Sequence, residues 1–412
     1  MNFTPVILWS DALVFLLLAT GIAATWYVRQ REHLLLPWRR VVQSSVAMVS
    51  LMVLSLFFAV GLLDTLHYRA ALPEKNAGEV VYSPEVLSVF DKLVTPLRSN
   101  TEKTYSAPLA ISLYAKETIT DAQGKISREF PRLKFGGVHL VDESQRDADV
   151  LKRALVGGVA GLLAGILLIF IIKRWVKQRA VSVAIFSFAV FLGITINLAS
   201  AYHIIGTDKV GQDILYLSLK SIRTGLIIGT VTTLVTLPIG IFLGIAAGYF
   251  RGWVDDVIQY VYIVLSSIPS VLLIAAAVLI MQMTIETHPE WFDTAASRAD
   301  LRLVFLCLIL GMTSWTGLCR LLRGETLKLR EMEYIQAAQS FGVSSLRILS
   351  SHIMPNVMHI ILIALVMDFS GLVLAEAVLS YVGVGVDPSM ISFGTMINGA
   401  RLDMGREPMV WW

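Results

Sequence analysis

The chain has 412 residues, of which 55% are hydrophobic and 16% charged, and its mean hydropathy is +0.68. This composition excludes an ordinary soluble protein of this length, because too few polar residues remain to cover its surface. The formal net charge is only +3 and the basic residues lie beside apolar runs, which indicates membrane topology and no nucleic-acid-binding surface. The two cysteines, Cys307 and Cys319, are expected to be buried free thiols.

Four apolar runs in the first 200 residues are long enough to cross a bilayer, which takes about 20 residues per helix. They cover 6–28, 46–63, 155–172 and 181–199. Basic clusters follow the first and third runs, so the positive-inside rule predicts an extracytoplasmic N-terminus and alternating crossings. The two clusters consist of Arg29, Arg31, Arg39, Arg40, Lys173, Arg174, Lys177 and Arg179.

These runs divide the first half of the chain into three predicted parts. Residues 1–63 form an N-terminal two-helix membrane extension, 64–152 an extracytoplasmic insertion domain, and 153–200 two further membrane helices. The insertion is polar, and its strand-like pieces predict a small α/β or β-rich domain that serves as a spacer or as a contact for a partner. Those pieces are 79–82, 109–114 and 132–140.

The second half contains four further apolar runs, at 225–247, 257–281, 303–319 and 357–378. In two runs of the chain, glycine recurs at every fourth position, which predicts a face where another helix packs closely. These glycines are Gly157, Gly161, Gly165, Gly240, Gly244 and Gly248.

Two places in these runs are candidates for a translocation path. Pro269, which follows Ser266 and Ser267, predicts a kink or local opening, and repair of the freed backbone groups is favoured over a polar path. Asp368 lies near the middle of its run, where a charge costs about 3 kcal/mol on insertion scales. It should therefore face the path or pair with neighbouring helices, with the path weakly favoured, whereas Glu376 is expected to be structural.

The segment 202–213 reads by pattern as a turn-rich loop that leads into an amphipathic helix, with Asp208 or Asp213 as the helix cap. His203 and the two aspartates would suit a metal ion. A structural role is favoured, because no further ligand spacing supports a metal site.

The segment 331–356 is a polar stretch between two apolar runs and is predicted to form two short helices. Gly342 permits the reversal between them, and Ser344 or Ser345 can cap the second. That second helix should end before Pro355. From spacing alone, the segment could equally be an ordinary connector between membrane helices.

Four motifs in this half resemble those of permeases of peptide-type ABC importers. Gln336, Ala337 and Ala338, with Gly342 and the segment 353–355, resemble the family's "EAA" loop. The segment 202–213 resembles the H-x-x-G-T-D-x-x-G-R-D motif, with Gln212 in place of the usual Arg. Two more, at 249–255 and 375–385, resemble the family's G-Y-Y-G-G-W-V-D and T-E-A-S-L-S-F-L-G-L-G segments.

The resemblance implies an all-α polytopic membrane protein in which 201–412 is an ABC permease core with a cytoplasmic coupling loop at 320–356. The family's final membrane helix is missing, for which truncation is the favoured explanation. The implied docking residues for an ATPase subunit are Tyr334, Gln336, Ala337, Ala338, Phe341, Gly342 and Pro355. The implied extracytoplasmic motif consists of Gly206, Thr207, Asp208, Gly211 and Asp213.

The implied function is ATP-driven import of peptides or peptide-like solutes through the bacterial inner membrane. No phosphate-binding loop motif occurs, so we expect this chain to be a transport subunit, not an enzyme, with ATP and magnesium bound by partner subunits. The implied partners are a second permease, two ATP-binding subunits, an extracytoplasmic solute-binding protein and the lipid bilayer. The solute itself, whether dipeptide, oligopeptide, nickel or another, is left open.

Two other functions remain open from the residues alone. An ion-gradient-driven transporter or channel would favour more intramembrane carboxylates and inverted hydropathy repeats. A structural membrane protein would use the cytoplasmic loop only to bind a partner.

Overall fold

The computed structural model describes residues 3–71, 82–120, 126–172, 178–291, 294–401 and 403. Within them, eight helical segments are long and apolar enough to cross a membrane, and they follow the eight predicted runs in order. The segments are Trp9–Arg29, Ser45–Thr65, Glu143–Ile172, Arg179–Ala199, Ile214–Phe250, Ser270–Thr287, Ala295–Arg330 and Ser345–Val382. The prediction of an all-α polytopic membrane protein with minor sheets is confirmed.

The chain divides into two compact units. Unit 1 comprises Met1–Ile7, Val14–Arg223 and Gly399–Trp412, and unit 2 comprises Leu8–Leu13 and Thr224–Asn398. Residues 201–223, which the sequence assigns to the permease core, therefore lie in the same compact unit as the insertion.

In unit 1 a strand, β1 (Phe3–Val6), precedes the first membrane helix. β1 pairs antiparallel with β2 (His67–Ala70), and Phe3 lies opposite Ala70. Helices α1 (Trp9–Arg29) and α3 (Ser45–Thr65) separate the two strands in the chain, with the amphipathic α2 (Glu32–Gln43) between them. Because the strands pair, the segments that precede α1 and follow α3 in the chain lie side by side.

The insertion contains short strands and helices at places other than those predicted. β3 (Leu87–Ser88) completes a three-stranded sheet in the order β1-β2-β3, and β4 (Glu117–Thr120) pairs with β5 (Ile126–Glu129). Two one-turn helices, α4 (Val89–Leu93) and α5 (Thr95–Ser99), lie between them.

The strands predicted at 109–114 and 132–140 are wrong, because these segments are irregular and joined by isolated bridges such as Ser112 to Arg132. Leu109 has a φ of +56°, which takes it out of the extended region, and Pro131 has no N–H to give to a ladder. The third predicted piece falls mostly outside the described residues; of it, Tyr82 bridges to Ala71.

The first glycine stripe lies in α6 (Arg146–Ile172), and the helix that packs on it is α7 (Arg179–Ala199). A Cβ atom at Gly157 would lie 2.5 Å from the carbonyl oxygen of Gly193, and one at Gly161 would lie 2.8 Å from the Cα atom of Val190. The predicted close-packing face is confirmed. In the basic cluster between these helices, residues 173, 174 and 177 lie outside the described part of the chain.

The second stripe lies in α8 (Ile214–Phe250), a 37-residue helix that begins in unit 1. It is followed by α9 (Gly252–Ser267), α10 (Ser270–Thr287), α11 (Ala295–Ser314) and α12 (Thr316–Arg330). A Cβ atom at Gly244 would lie 2.7 Å from the carbonyl oxygen of Cys319, so α8 packs on α12 as closely as the stripe predicts. Cys307 and Cys319 are buried free thiols, as predicted.

The region around Pro269 is broken, not merely kinked. α9 ends at Ser267 and α10 begins at Ser270, with Ile268 extended between them. The predicted single crossing at 257–281 is therefore two helices, because proline restricts the preceding residue to extended backbone.

The last elements are α13 (Glu333–Ser340), α14 (Ser345–Ile348), a π-helical turn at Leu349–Ile353, α15 (Met354–Val382) and α16 (Phe393–Ala400). The second short helix, α14, ends at Ile348 and so before Pro355, as predicted, and the π-helical turn joins it to α15. Pro355 lies in the first turn of α15, where a missing N–H leaves no hydrogen bond unmade. Ser344 precedes α14, but its side chain makes no capping hydrogen bond.

Candidate functional site

The docking loop, defined here as residues 331–356, stands on three isoleucines. Ile335, Ile348 and Ile353 have no exposed surface and belong to one buried cluster with Tyr249 of α8 and Leu322 of α12. Each fully buried aliphatic side chain contributes about 1.5–3 kcal/mol relative to an exposed one. The loop is therefore packed against α8 and α12 and is not a free connector between membrane helices.

The reversal between α13 and α14 is closed by Gly342, whose φ is +74°. The N–H of Val343 donates to the carbonyl of Ala338 at 3.1 Å, and the N–H of Gly342 donates to that of Gln339 at 3.0 Å. This pair of hydrogen bonds is the Schellman motif, which ends a helix on a left-handed residue and is satisfied most easily by glycine. The turn predicted from sequence is present.

The outer surface of the docking loop is apolar at its most exposed points. The exposed fractions of the Phe341 and Leu346 side chains are 86% and 77%, and that of Tyr334 is 46%. Gln336, Ala337, Gly342 and Pro355 are exposed as well, whereas Ala338 is half-buried. A large aromatic ring held in water by a well-packed support is typical of a binding surface.

Tyr334, Ala337, Ala338 and Phe341 recur at helical spacing along α13, and all of them except the half-buried Ala338 are exposed. The inward residue, Ile335, was missed. The burial of Ile335 is indicated in the sequence by the apolar residues within 348–361, because they need an apolar side chain of α13 to cover them. Leu346, the second exposed apolar residue of the surface, was also left out of the predicted site.

Hydrogen bonds fix the two ends of the docking loop. Asn356 Nδ2 donates to the Tyr334 hydroxyl at 3.1 Å and to the His352 carbonyl at 2.7 Å. Arg330 Nη1 donates to the carbonyl of Tyr249 at 2.7 Å, and Gln339 Nε2 to its hydroxyl at 3.4 Å. Since Tyr249 is buried and belongs to α8, the loop is attached to the end of that helix.

A bidentate ion pair supports the helices that carry the docking loop, and the sequence reading missed it. Arg323 donates from Nε and Nη2 to the two Asp255 oxygens at 2.6 and 2.7 Å. Hydrogen bonding from this guanidinium holds the pKa of the Asp255 carboxyl below its ordinary value. Arg251, whose φ is +57°, forms a further ion pair with Glu331 at the start of the loop. The loop, α9 and α12 are thus joined by charge as well as by packing.

The predicted path residues lie in different surroundings. Asp368 is half-buried in α15 and makes no hydrogen bond or ion pair with any described residue. Ser266 and Ser267 are exposed at the end of α9, where Ser267 Oγ donates to the carbonyl of Val264 at 2.7 Å. Glu376 is buried and accepts hydrogen bonds from Ser380 and Ser392 at 2.6 and 2.9 Å, which joins α15 to the start of α16.

The motif at 202–213 turns on two glycines in the left-handed region. Gly206 and Gly211 have φ values of +87° and +79°. A Cβ atom at Gly206 would overlap the carbonyl oxygen of Ser106, and one at Gly211 would overlap that of Glu102. The Glu102 N–H donates to the Gly211 carbonyl at 2.8 Å, so the insertion's backbone passes directly against the motif.

The polar residues of the motif are used for internal hydrogen bonds. Thr207 Oγ1 donates to the Thr104 carbonyl at 2.9 Å, and Asp208 Oδ1 accepts from the N–H groups of Val210 and Gln212 at 2.9 and 2.7 Å. Asp213 Oδ1 accepts from the N–H groups at 215 and 216, at 2.8 and 3.2 Å. Of the two predicted caps, Asp213 is therefore the one that caps α8, while Asp208 closes the preceding turn.

The motif and the insertion meet at a buried imidazole between two carboxylates. His203 Nδ1 lies 2.6 Å from Asp213 Oδ2, and Nε2 lies 3.4 Å from Glu102 Oε1 without a well-aligned hydrogen bond. Burial would lower the pKa of His203, but Asp213 and Glu102 raise it to about 9. The Glu102 carboxylate also accepts backbone N–H groups at 134, 135 and 136, at 2.7, 2.8 and 3.1 Å.

We call this cluster, Glu102, His203, Asp213 and the turn at 206–211, the junction. Because hydrogen bonds and ion pairs within the chain engage its two carboxylates and Nδ1 of its imidazole, its arrangement is that of a structural joint. Among the described residues, no group of three or more His, Cys, Asp or Glu side chains is arranged to hold a metal ion.

A second charged cluster fixes the first turns of α8 to the insertion. Lys220 Nζ lies 2.5 and 2.6 Å from the two Asp91 oxygens, and the Tyr216 hydroxyl donates to Asp91 at 2.8 Å. Asp91 closes a capping box with Ser88 at the start of α4. The insertion is therefore attached to α8 through two buried polar clusters, which the sequence reading did not foresee.

Comparison with known proteins agrees with these features. The family model described as "Binding-protein-dependent transport system inner membrane component" matches residues 240–409. The chain is 34% identical to the oligopeptide transport system permease protein OppC of Mycobacterium tuberculosis over 209 residues. These aligned residues make up 51% of this chain and 66% of that protein. It is 33% identical over 211 residues to the glutathione transport system permease protein GsiD of Pectobacterium atrosepticum, 51% of this chain and 64% of that protein.

It is also 28% identical over 199 residues to the dipeptide transport system permease protein DppC of Bacillus subtilis, 48% of this chain and 57% of that protein. The matching segment thus spans less than two thirds of the length of each of these relatives. The family match covers α9 to α16 and includes the docking loop. Residues 240–409 therefore carry the domain described for binding-protein-dependent transport system inner membrane components, and the chain is similar to permeases of peptide-type ABC importers.

Proposed function

We propose that this chain forms half of the membrane passage of an ATP-driven importer of peptides or peptide-like solutes. In this proposal a second permease completes the passage, two ATP-binding subunits hold ATP and magnesium, and a solute-binding protein delivers the cargo. The N-terminus and the insertion lie outside the cytoplasm, and the docking loop lies inside. The relatives named for oligopeptide, glutathione and dipeptide transport support cargo of the peptide class.

The observation that carries the proposal is the surface of the docking loop. Phe341 is 86% exposed, yet the helix it follows is fixed by Ile335, which has no exposed surface. An aromatic side chain in water loses the hydrophobic stabilisation that burial would give it, so its exposure on a rigid support favours burial by a partner.

A rigid loop also suits the transmission of force. The docking loop is attached to α8 through the Tyr249 hydroxyl and to the residue before α9 through Arg251, and Arg330, at the end of α12, donates to the Tyr249 carbonyl. When ATP-binding subunits close, a displacement of the loop would move these helices together and change which side of the passage is open. Asp368 is the residue we assign to the passage, since its carboxylate has no partner among the described residues. Ser266 and Ser267, at the break between α9 and α10, stay weaker candidates for it.

The test is co-purification of the chain with ATP-binding subunits, followed by ATP hydrolysis with and without solute-binding protein. The Phe341→Ala variant should lose most of the bound ATP-binding subunits while the chain stays folded in the membrane. A matched control is Phe170→Ala, which removes a ring that is 79% exposed on α6, far from the docking loop in the chain. Full retention of the ATP-binding subunits by the Phe341→Ala variant would contradict the proposal, as would ATP hydrolysis that ignores the solute-binding protein.

A further inference from the structure

The insertion contains a cleft of about 700 Å³ whose lining residues belong neither to the docking loop nor to the junction. Its lining includes Tyr114, Phe130, Arg132, Asp142, Glu143 and Arg146. This volume lies within the range of about 300–1,000 Å³ that small-molecule sites occupy. All of its lining residues belong to unit 1.

The cleft combines apolar and charged groups of both signs. Phe130 and Tyr114 are 50% and 38% exposed, and the Lys116 ammonium group lies 5.2 Å from the centre of the Phe130 ring. Arg132 donates to the carbonyls of Leu140 and Val141 at 2.7 and 3.3 Å, which fixes the wall from which the two acidic residues project. These hydrogen bonds use two of the five donors of its guanidinium.

The acidic side chains of the cleft are not paired with its arginines. Asp142 and Glu143 are exposed and form no ion pair with any residue that the structure describes. Arg146 is paired with Asp147, through Nε and Nη2 at 3.0 Å each, and 38% of its side chain is exposed. The cleft therefore offers two carboxylates to a cation and two guanidinium groups with spare donors to an anion.

We propose that this cleft binds a short peptide whose termini are both free. The Asp142 and Glu143 carboxylates receive the α-ammonium group, the Arg132 and Arg146 guanidinium groups receive the α-carboxylate, and the two rings pack on side chains between them. A guanidinium presents parallel donors that match a carboxylate, and an ammonium group matches acidic oxygens. The choice of peptide rests on the proposed function, whereas the requirement for both free termini rests on the charges of the cleft.

The experiment uses the full membrane complex in detergent without solute-binding protein or ATP. Binding of tritiated trialanine is measured by equilibrium dialysis and compared with N-acetylated, C-amidated and doubly blocked trialanine. Loss of one charged contact should weaken binding by about tenfold. Free trialanine should therefore bind about tenfold more tightly than either singly blocked form, and the doubly blocked form should bind weakest.

Two variants locate the binding in the cleft. The double variant Asp142→Asn, Glu143→Gln should weaken free trialanine and leave N-acetylated trialanine unchanged. Arg146→Gln should weaken free trialanine and leave C-amidated trialanine unchanged. The matched controls are Glu85→Gln and Arg98→Gln, which break an ion pair of the same insertion outside the cleft and should change nothing.

Equal binding of free and doubly blocked trialanine would overturn the proposal even if a variant failed to fold. The proposal would also be overturned if both cleft variants bound trialanine as the wild type does. The same holds if the cleft bound no trialanine and was instead covered by added solute-binding protein. Because neither ATP nor the docking loop takes part, failure of this test leaves the proposed transport function standing. Conversely, loss of transport with intact trialanine binding would count against transport alone.

Discussion

At the junction the charged side chains are buried, and at the docking loop the apolar side chains are exposed. His203 and Asp213 are 4% and 1% exposed, whereas Phe341 is 86% exposed. Both regions turn on a glycine with positive φ, Gly211 and Gly342. The backbone of the insertion is packed against the first, and nothing lies near the second.

This difference separates two meanings of a recognisable motif. The polar motif at 202–213 is largely satisfied within the chain, because His203, Thr207 and Asp213 have partners in the insertion or at the start of α8, and Asp208 accepts hydrogen bonds within its own turn. The docking loop leaves its largest apolar groups without cover. A motif whose polar groups are paired within the chain stabilises the fold, whereas a motif that exposes apolar side chains on a rigid support favours binding of another molecule.

The largest expected loss of stability is at the junction. In the Gly211→Ala variant, a Cβ atom would overlap the Glu102 carbonyl in a residue already restricted by a φ of +79°. We expect a loss of roughly 4 kcal/mol or more, because neither backbone can move without breaking the junction. Heating in detergent followed by fluorescence-detected size exclusion measures the shift in Tm.

The control for Gly211 is Gly21→Ala in α1, where nothing lies within 4 Å of the added Cβ. Alanine in an exposed helix should leave the Tm unchanged or raise it slightly. A Gly211→Ala variant that unfolds at the same temperature as the Gly21→Ala variant would show that the junction is not closely packed.

The second effect sharpens the contrast within the docking loop. Ile335→Ala removes a side chain with no exposed surface and should cost about 2–5 kcal/mol, whereas Phe341→Ala should stay within about 0.5 kcal/mol. Hydrogen exchange of residues 331–356 measures both. Similar exchange rates in the two variants would contradict the separation of a buried support from an exposed surface.

The sequence predicted what depends on long or regular patterns. Eight apolar runs, the two glycine stripes and the reversal at Gly342 are each visible in the chain, because bilayer thickness, helix period and backbone sterics act locally. The same reasoning failed in the insertion. Its true strands are two to four residues long, and their partners lie up to 67 residues apart, as Phe3 and Ala70 do.

The site itself was predictable only in part. The position of Gly342 follows from sequence, but the side of α13 that faces inward does not, because Tyr334, Ala337 and Phe341 form a helical stripe as regular as the one containing Ile335. Which stripe is buried depends on α8 and α12, and the contact between α8 and the docking loop bridges 90 residues of sequence, from Tyr249 to Gln339. Glu102, the centre of the junction, lies 101 residues before His203 and carries no motif of its own.

The third effect is the pH dependence of the junction. An unfolded histidine has a pKa of about 6.5, and that of His203 in the folded chain is about 9. Since the folded state holds its proton to higher pH, the stabilisation is complete below pH ~6.5 and is lost as the pH rises through about 9. The full loss is on the order of 3 kcal/mol, and Tm measured between pH 6 and 10 should fall accordingly.

The His203→Gln variant should have a lower Tm at neutral pH and a flatter profile up to pH 10, because the titrating group is gone. His288→Gln, which changes a half-buried histidine that forms no ion pair with any described residue, should keep the wild-type profile. A wild-type Tm that is constant from pH 6 to 10 would exclude a stabilising charge on His203.

The smallest expected effect on stability is at Gly342, where the comparison with Gly211 is most direct. Its φ of +74° resembles that of Gly211, but nothing lies within 4 Å of an added Cβ, so Gly342→Val should cost only about 1–2 kcal/mol. That cost falls on the Schellman hydrogen bonds of Val343 and Gly342, and it should loosen α13 while the membrane helices stay folded. We therefore expect a nearly unchanged Tm together with loss of coupled ATP hydrolysis in the assembled complex.

Gly324→Ala, which changes an open position within α12, is the control and should preserve both the Tm and the coupled ATP hydrolysis. Wild-type coupling in the Gly342→Val variant would mean that the docking loop transmits no force through this turn, even if it still binds the ATP-binding subunits.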